Sequence, residues 1–139
     1  MNIVMSKKIL PILLLTANVL CSCHNDKDVA NERIVCGIRV ENCHYNIGIV
    51  EYSPNEHHYK RFCYILHNTT NQNIQLDSVE VSCNCISVEY SPICISACEN
   101  DSIVGYIDVR DLKGVFSRSL YVNFTNGEVM LLRVRGNVI

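Results

Sequence analysis

From Ile34 onward, apolar residues recur with a period of two, and turn-forming residues break the pattern about every 8–12 positions. No stripe with the helical period of 3.6 competes with this reading. The alternation predicts strands over Ile34–Val40, Ile47–Tyr52 and Tyr59–Asn68, the last with Phe62, Tyr64 and Leu66 on one face and Cys63 and Ile65 on the other. The polar cluster Thr69-Thr70-Asn71-Gln72-Asn73 then marks a turn. Ile74–Ser82 carries two apolar sets out of phase, Ile74 with Leu76 and Val79 with Val81, which a bulge near Asp77-Ser78 would reconcile.

Ile86–Tyr90, Ser102–Arg110, Val115–Phe124 and Val129–Val138 continue the series. In the last two, Leu120, Val122, Phe124, Met130, Leu132 and Val134 are expected to point inward, and Ser119, Tyr121, Asn123, Arg133 and Arg135 outward. Asn126-Gly127 between them predicts a type I′ hairpin, a turn that needs positive φ at both central residues. The fold class is all-β: an immunoglobulin-like antiparallel β-sandwich of about seven strands, with an open barrel as the alternative.

The first residues follow a different logic. Lys7 and Lys8 precede an apolar run from Ile9 to Leu20, interrupted by Pro11 and Asn18. This is the layout of a secretory signal and is shorter than the roughly 20 apolar residues that a membrane-spanning helix needs. Leu20-Cys21-Ser22-Cys23 resembles a bacterial lipobox, with a small residue at the cleaved bond and a thiol at the first mature position. The expected organisation is a signal peptide over 1–22, a lipidated N-terminus at Cys23 with a flexible tether over 23–43 that can include an early strand, and the sandwich over 44–139. A multiply acylated cysteine would hold the protein stably on a membrane of the cell envelope, on its periplasmic or surface side.

Composition narrows the partners. Over residues 23–139 there are 10 basic and 14 acidic residues, a net formal charge of −4, and no run of Lys or Arg. A nucleic-acid footprint is therefore absent, and no nucleic-acid partner is expected. Seven cysteines follow position 23: Cys36, Cys43, Cys63, Cys83, Cys85, Cys94 and Cys98. An exported chain meets an oxidising compartment, so disulfides are expected, and the odd number leaves at least one thiol over.

Several of these residues together resemble a known family. Phe62…Asn68-Thr69, Leu76…Val79…Ser82-Cys83-Asn84-Cys85, Gly114-Val115-Phe116 and Leu132…Gly136-Asn137-Val138 are similar to the bacterial family called domain of unknown function 1573, whose hallmark reads S-C-G-C-T. The resemblance covers residues 44–139. It implies an immunoglobulin-like sandwich and an exported lipoprotein of the Bacteroidetes type. Asn84 stands where that family has Gly, Ile86 where it has Thr, and Ser96-Ala97-Cys98 where it has a Pro-Gly turn.

Cys83-Asn84-Cys85 is the most pointed chemical feature. On a regular strand, positions i and i+2 lie about 6.6 Å apart, at the long limit for a disulfide, so a bond between the two requires a tight bend. The motif reads as structural, packed or bonded to other cysteines. A redox pair and a soft-metal site for Cu(I) or Zn²⁺ are the alternatives. Cys94 and Cys98 are the expected disulfide partners for Cys83 or Cys85, forming a local staple. His57-His58 would point to opposite faces of an extended segment and reads as solvated. With no Cys-x-x-Cys or paired histidines at ligand spacing, no metal and no cofactor is expected. Asp77-Ser78-Val79 and Asp101-Ser102-Ile103 resemble a bacterial O-glycosylation acceptor, which makes Ser78 and Ser102 candidate modification sites. Asn68-Thr69-Thr70 and Asn123-Phe124-Thr125 match the N-glycosylation sequon, a weak signal beside a lipobox. No nucleophile elbow, P-loop, dinucleotide fingerprint or H-E-x-x-H motif is present. No catalytic residue is expected. The leading reading is a non-catalytic, lipid-anchored module that binds or scaffolds another envelope protein. The rival is a thiol-redox or soft-metal-handling protein built on Cys83 and Cys85.

Overall fold

The computed structural model describes residues 31–90 and 94–139. Its strands are β1 (Arg33–Val35), β2 (Ile38–Val40), β3 (His44–Val50), β4 (Tyr59–Asn68), β5 (Ile74–Val81), β6 (Ile86–Tyr90), β7 (Cys94–Ile95), β8 (Asn100–Asp108), β9 (Gly114–Phe124) and β10 (Val129–Val138). The described residues are all-β, with ten strands where about seven were expected. The surplus is in short pieces: the single strand expected over Ile34–Val40 is broken at Cys36-Gly37 into β1 and β2 of three residues each, and β7 holds two residues, too few for alternation to announce it.

Two five-stranded sheets form, in the orders β1-β2-β4-β8-β6 and β3-β10-β9-β5-β7. Every pair is antiparallel except β3 with β10, which run parallel. Only Glu41–Cys43 separate β2 from β3, so the chain crosses from one sheet to the other without reversing and lies alongside the last strand. That one crossing is the departure from a purely antiparallel sandwich. It also carries the sandwich ahead of residue 44, since Ile38, Val40 and Cys43 are buried in the common core.

The core follows the alternation. Phe62, Tyr64 and Leu66 of β4 and Ile103 and Ile107 of β8 face Leu120, Val122 and Phe124 of β9 and Met130, Leu132 and Val134 of β10, all buried. Phe62 pairs with Gly105 across the sheet, and a Cβ at position 105 would lie 2.2 Å from the Phe62 ring. The ring thus occupies the space that only glycine leaves. The Tyr64 hydroxyl donates to the Arg133 carbonyl, tying the two sheets together through the core. Burial pushes that hydroxyl's pKa far up, which keeps it a neutral donor. In β5 the register shifts between Leu76 and Ser78, the bulge that the two apolar sets require.

The turn form expected at Asn126-Gly127 occurs instead at Cys36-Gly37, inside the segment expected as one strand. Cys36 and Gly37 sit between paired Val35 and Ile38 with φ of 53° and 78°, which is the two-residue turn with positive φ at both centres. At Thr125-Asn126-Gly127 only Gly127 has positive φ, 88°, and its N–H donates to the Phe124 carbonyl at 3.0 Å. This is a three-residue loop with a glycine bulge rather than type I′. Asn126 is held by its side chain instead: Oδ1 accepts from the Glu128 N–H at 3.0 Å.

At the same end of the sandwich, buried Asn68 pins neighbouring loops. Its Nδ2 donates to the carbonyls of Gln72 (2.7 Å), Ile95 (2.9 Å) and Ser96 (3.1 Å), and its Oδ1 accepts from the N–H and hydroxyl of Thr70. A buried amide with its bonding capacity so filled specifies one loop arrangement.

Candidate functional site

The Cys83-Asn84-Cys85 segment lies at the opposite end, where the chain passes from β5 in one sheet to β6 in the other. It is a turn, not a strand: the Ile86 N–H donates to the Cys83 carbonyl at 3.3 Å. The bend brings the two Cα atoms to 5.2 Å, and the cysteines are joined by a disulfide. Asn84 does not take positive φ, so the bend does not need the family's glycine. The segment is fastened on both sides. Ser82 N–H donates to the Ser119 carbonyl at 3.0 Å, and Asp108 N–H to the Cys85 carbonyl at 2.7 Å.

This corrects the expected staple. Cys94 and Cys98 are free, exposed thiols and bond to neither Cys83 nor Cys85. The reason is topological. Cys94 lies on β7 and Cys98 donates its thiol to the Thr70 carbonyl at 3.4 Å, both at the Asn68 end, while the Cys83–Cys85 turn closes the far end. Cys36, also free, donates to the Glu128 carboxylate and accepts from Asn126 Nδ2 at 3.0 Å. Burial and then the Glu128 contact push its pKa up, the opposite of what a reactive thiolate needs.

The remaining sequence candidates are scattered. Cys23 lies outside the described residues. Ser78 and Ser102, both half-buried, point from the outer faces of opposite sheets, and Ser78 Oγ accepts from Asn123 Nδ2 at 3.1 Å. His57 is exposed, while half-buried His58 packs against Tyr52 with ring centroids 6.0 Å apart and planes tilted by 41°. Among the described residues, no three of His, Cys, Asp or Glu converge on a point where a metal ion could sit.

What the structure does assemble is a groove of about 690 Å³ on the outer face of β3, β10 and β9. Along β10 the outward side chains are Leu131, Arg133, Arg135 and Asn137. The parallel pairing sets His44 beside Arg133, Asn46 beside Arg135 and Ile49 beside Asn137. From the other side, Ser117 faces Arg135 and Val115 faces Asn137. Arg33 of β1 closes the rim. Arg33, Arg133 and Arg135 make no ion pair with a carboxylate of the described residues, whose salt bridges join Arg39 and His67 to Glu41 and Arg110 to Asp108. Partial burial, and then the charges of Arg135, Arg133 and Arg33, hold His44 below its ordinary pKa. At the end of the groove away from Arg33, Val115 and Ile49 protrude with 84% and 71% of their surface exposed.

The alternation places Arg133 and Arg135 outward, as found. Arg33 and His44 carried no such signal, because their nearness to β10 depends on the parallel crossing.

Comparison with known proteins fits this architecture. The family DUF1573, described as a protein of unknown function, matches residues 38–138. The chain belongs to the DUF1573 family. Within this DUF1573 protein the match begins at β2, the strand that feeds the parallel crossing. No curated protein matches the chain. Among solved structures it is similar to a protein of unknown function from Porphyromonas gingivalis, with 9% identity, a TM-score of 0.60, and coverage of 72% of this chain and 46% of that one. It is also similar to the seventh PapD-like domain of human CEP192, with 11% identity, a TM-score of 0.52, and coverage of 99% and 97%. A family 123 glycoside hydrolase from Clostridium perfringens shares 9% identity and a TM-score of 0.54, over 69% of this chain and 23% of the hydrolase. The chain thus spans less than half of the P. gingivalis protein and under a quarter of the hydrolase. At such identities these likenesses show the fold alone.

Proposed function

We propose that this DUF1573 protein is a non-catalytic, lipid-anchored module of the cell envelope that binds another envelope protein through the groove on β3, β10 and β9. The observation that carries the reading is the set Arg33, Arg133 and Arg135, clustered without a carboxylate partner among the described residues and ending on two protruding aliphatic side chains. Clustered guanidiniums repel one another, and a chain otherwise mildly acidic gains nothing for its own fold by gathering them. A complementary partner relieves the repulsion and is oriented by it. The Cys83–Cys85 turn is compatible with the same reading, since the two thiols are bonded to each other within the turn that leads from β5 to β6. Lipidation at Cys23 would keep the module at the membrane.

Photo-crosslinking in living cells tests this. With a photoreactive residue at Ser117, illumination should produce an adduct with a discrete envelope protein, and the same residue at Ile65 on the opposite sheet should not. The wild-type protein from those cells should fractionate with membranes and carry an acylated N-terminus by mass spectrometry. No adduct at Ser117, or equal adducts at both positions, would remove the binding site. A soluble wild-type protein with an unmodified terminus would remove the anchor.

A further inference from the structure

We infer that the groove takes an extended polypeptide segment of the partner that is acidic at one end and aliphatic at the other. The inference rests on the binding role proposed above and adds the chemistry of the ligand. Along β10, the groove runs from Leu131 to Asn137, about 20 Å at 3.3 Å per residue, the length of an extended segment of about six residues. Its charge is not uniform along that length. His44, Arg33 and Arg133 cluster at one end, Arg135 with Asn46 and Ser117 forms the middle, and Ile49 and Val115 flank Asn137 at the other.

Each part selects a chemical group. A guanidinium presents a planar fork of donors that a carboxylate accepts two at a time, so the arginine end suits Asp or Glu side chains. Ser117 and Ser119 stand opposite Arg135 and Arg133 on β9, and their short side chains leave those arginines open to a ligand from that side. Ile49 and Val115 form a small apolar platform whose contact with an aliphatic side chain would remove exposed surface from both. Addition to the free edge of β3 is limited by the chain itself. Cys43 N–H is taken by the Asn31 carbonyl, and Gly48 N–H by Asn46 Oδ1 at 2.9 Å within the β-bulge that faces Arg135 to Asn137. Recognition therefore falls to side chains on the face rather than to backbone pairing along the edge.

The test uses the mature chain carrying Cys23→Ser, which needs no detergent, and a fluorescent peptide Glu-Asp-Glu-Ser-Val-Leu read by anisotropy. Binding should saturate, weaken as salt rises, and exceed that of Lys-Lys-Lys-Ser-Val-Leu and of Glu-Asp-Glu-Ser-Ser-Ser. Arg133→Glu with Arg135→Glu should weaken it by about tenfold or more. Arg61→Glu on the opposite sheet should leave it within about twofold, since screening isolates distant surface charges. Ile49→Ser with Val115→Ser should abolish the preference for the Val-Leu ending while retaining the preference for acid over base. All these positions are exposed or at the surface, so an unchanged thermal melt checks that the fold is intact. Equal binding of acidic and basic peptides, indifference to the double charge reversal, or no peptide binding alongside binding to phosphatidylglycerol vesicles would each overturn the inference. If the Ser117 adduct forms while the peptide fails, the ligand chemistry falls and the binding role stands. If no adduct forms and the peptide fails, both fall.

Discussion

On the inward face of β10, Met130, Leu132 and Val134 are buried, while on the outward face of the same strand Arg133 and Arg135 stand in solvent without a carboxylate partner among the described residues. On β9 the contrast repeats, with Leu120, Val122 and Phe124 inside and Val115, Ser117 and Tyr121 outside. One hairpin therefore serves two purposes, separated by a single step of the pleat. The inward side chains bind the sheets together through area removed from water, about 25 cal/mol per Å². The outward ones contribute little to folding, and their arrangement makes sense as complementarity to something else. A slip of one residue in the β9–β10 register would exchange the two sets and destroy both.

The sharpest way to break that contrast is to truncate adjacent residues. Leu132→Ala should lower stability by about 2–5 kcal/mol in chemical denaturation, because the cavity left between two packed sheets cannot fully collapse. Arg133→Ala, one position away, should change it by less than about 0.5 kcal/mol. The Arg133 backbone bonds to the Cys43 carbonyl and the Tyr64 hydroxyl survive that substitution. Comparable losses from both would mean that the outward face also carries folding energy.

The same contrast explains what the sequence makes legible. Alternation gives β4, β6 and β10 their observed limits and the inward faces of β9 and β10, because period two runs unbroken there, whereas β3, expected over Ile47–Tyr52, spans His44–Val50. It even locates the bulge in β5, where the phase breaks. What it does not carry is anything decided by partners distant in sequence. The parallel placement of β3 brings His44 and Arg33 to the arginines of β10, and no local pattern encodes that crossing. The turns show the same limit. Asn126-Gly127 offers a type I′ signal, but the Asn126 side chain caps Glu128 and the loop settles with one more residue, while Cys36-Gly37 takes the two-residue form without an Asn or Asp to advertise it. The cysteines illustrate it too, since proximity in sequence suggested a staple between Cys83 or Cys85 and Cys94 or Cys98 that the two ends of the sandwich hold apart.

The Cys83–Cys85 link sharpens the comparison at an intermediate scale. Its half-buried cysteines pack against the core and close the turn that leads from β5 to β6. A disulfide closing so short a loop removes little chain entropy, so Cys83→Ser with Cys85→Ser should lower stability by only about 1–2 kcal/mol. Peptide binding at the groove should be unchanged. In denaturant without reductant, the number of titratable thiols should be the same in the double variant and in the wild type, because a bonded pair contributes none. Two thiols fewer in the variant would show that the pair is reduced in the native protein and would reopen the redox reading.

The smallest effect comes from the outward class and concerns pH. His44 is half-buried beside Arg133, with Arg135 and Arg33 near, and the lining of the groove includes no Asp or Glu. Desolvation and then these three positive charges disfavour its protonated form, so its folded pKa lies below the ordinary value of 6.5. As pH falls through 6.5 the unfolded chain takes up the proton before the folded chain does. Folding stability is therefore full above that range, declines below it, and levels off once folded His44 is also protonated. The loss should stay under about 1 kcal/mol, since solvent screens a site this open. Comparing the pH profile of the wild type with that of His44→Gln isolates this residue from the carboxylates, which titrate lower. Arg135→Gln should bring the NMR-measured pKa of His44 back toward its ordinary value, and an acidic peptide seated in the groove should do the same by offsetting the arginines. A pKa at or above 6.5 in the free protein would mean that the guanidiniums are already neutralised, and the contrast between the two faces of β10 would lose its electrostatic half.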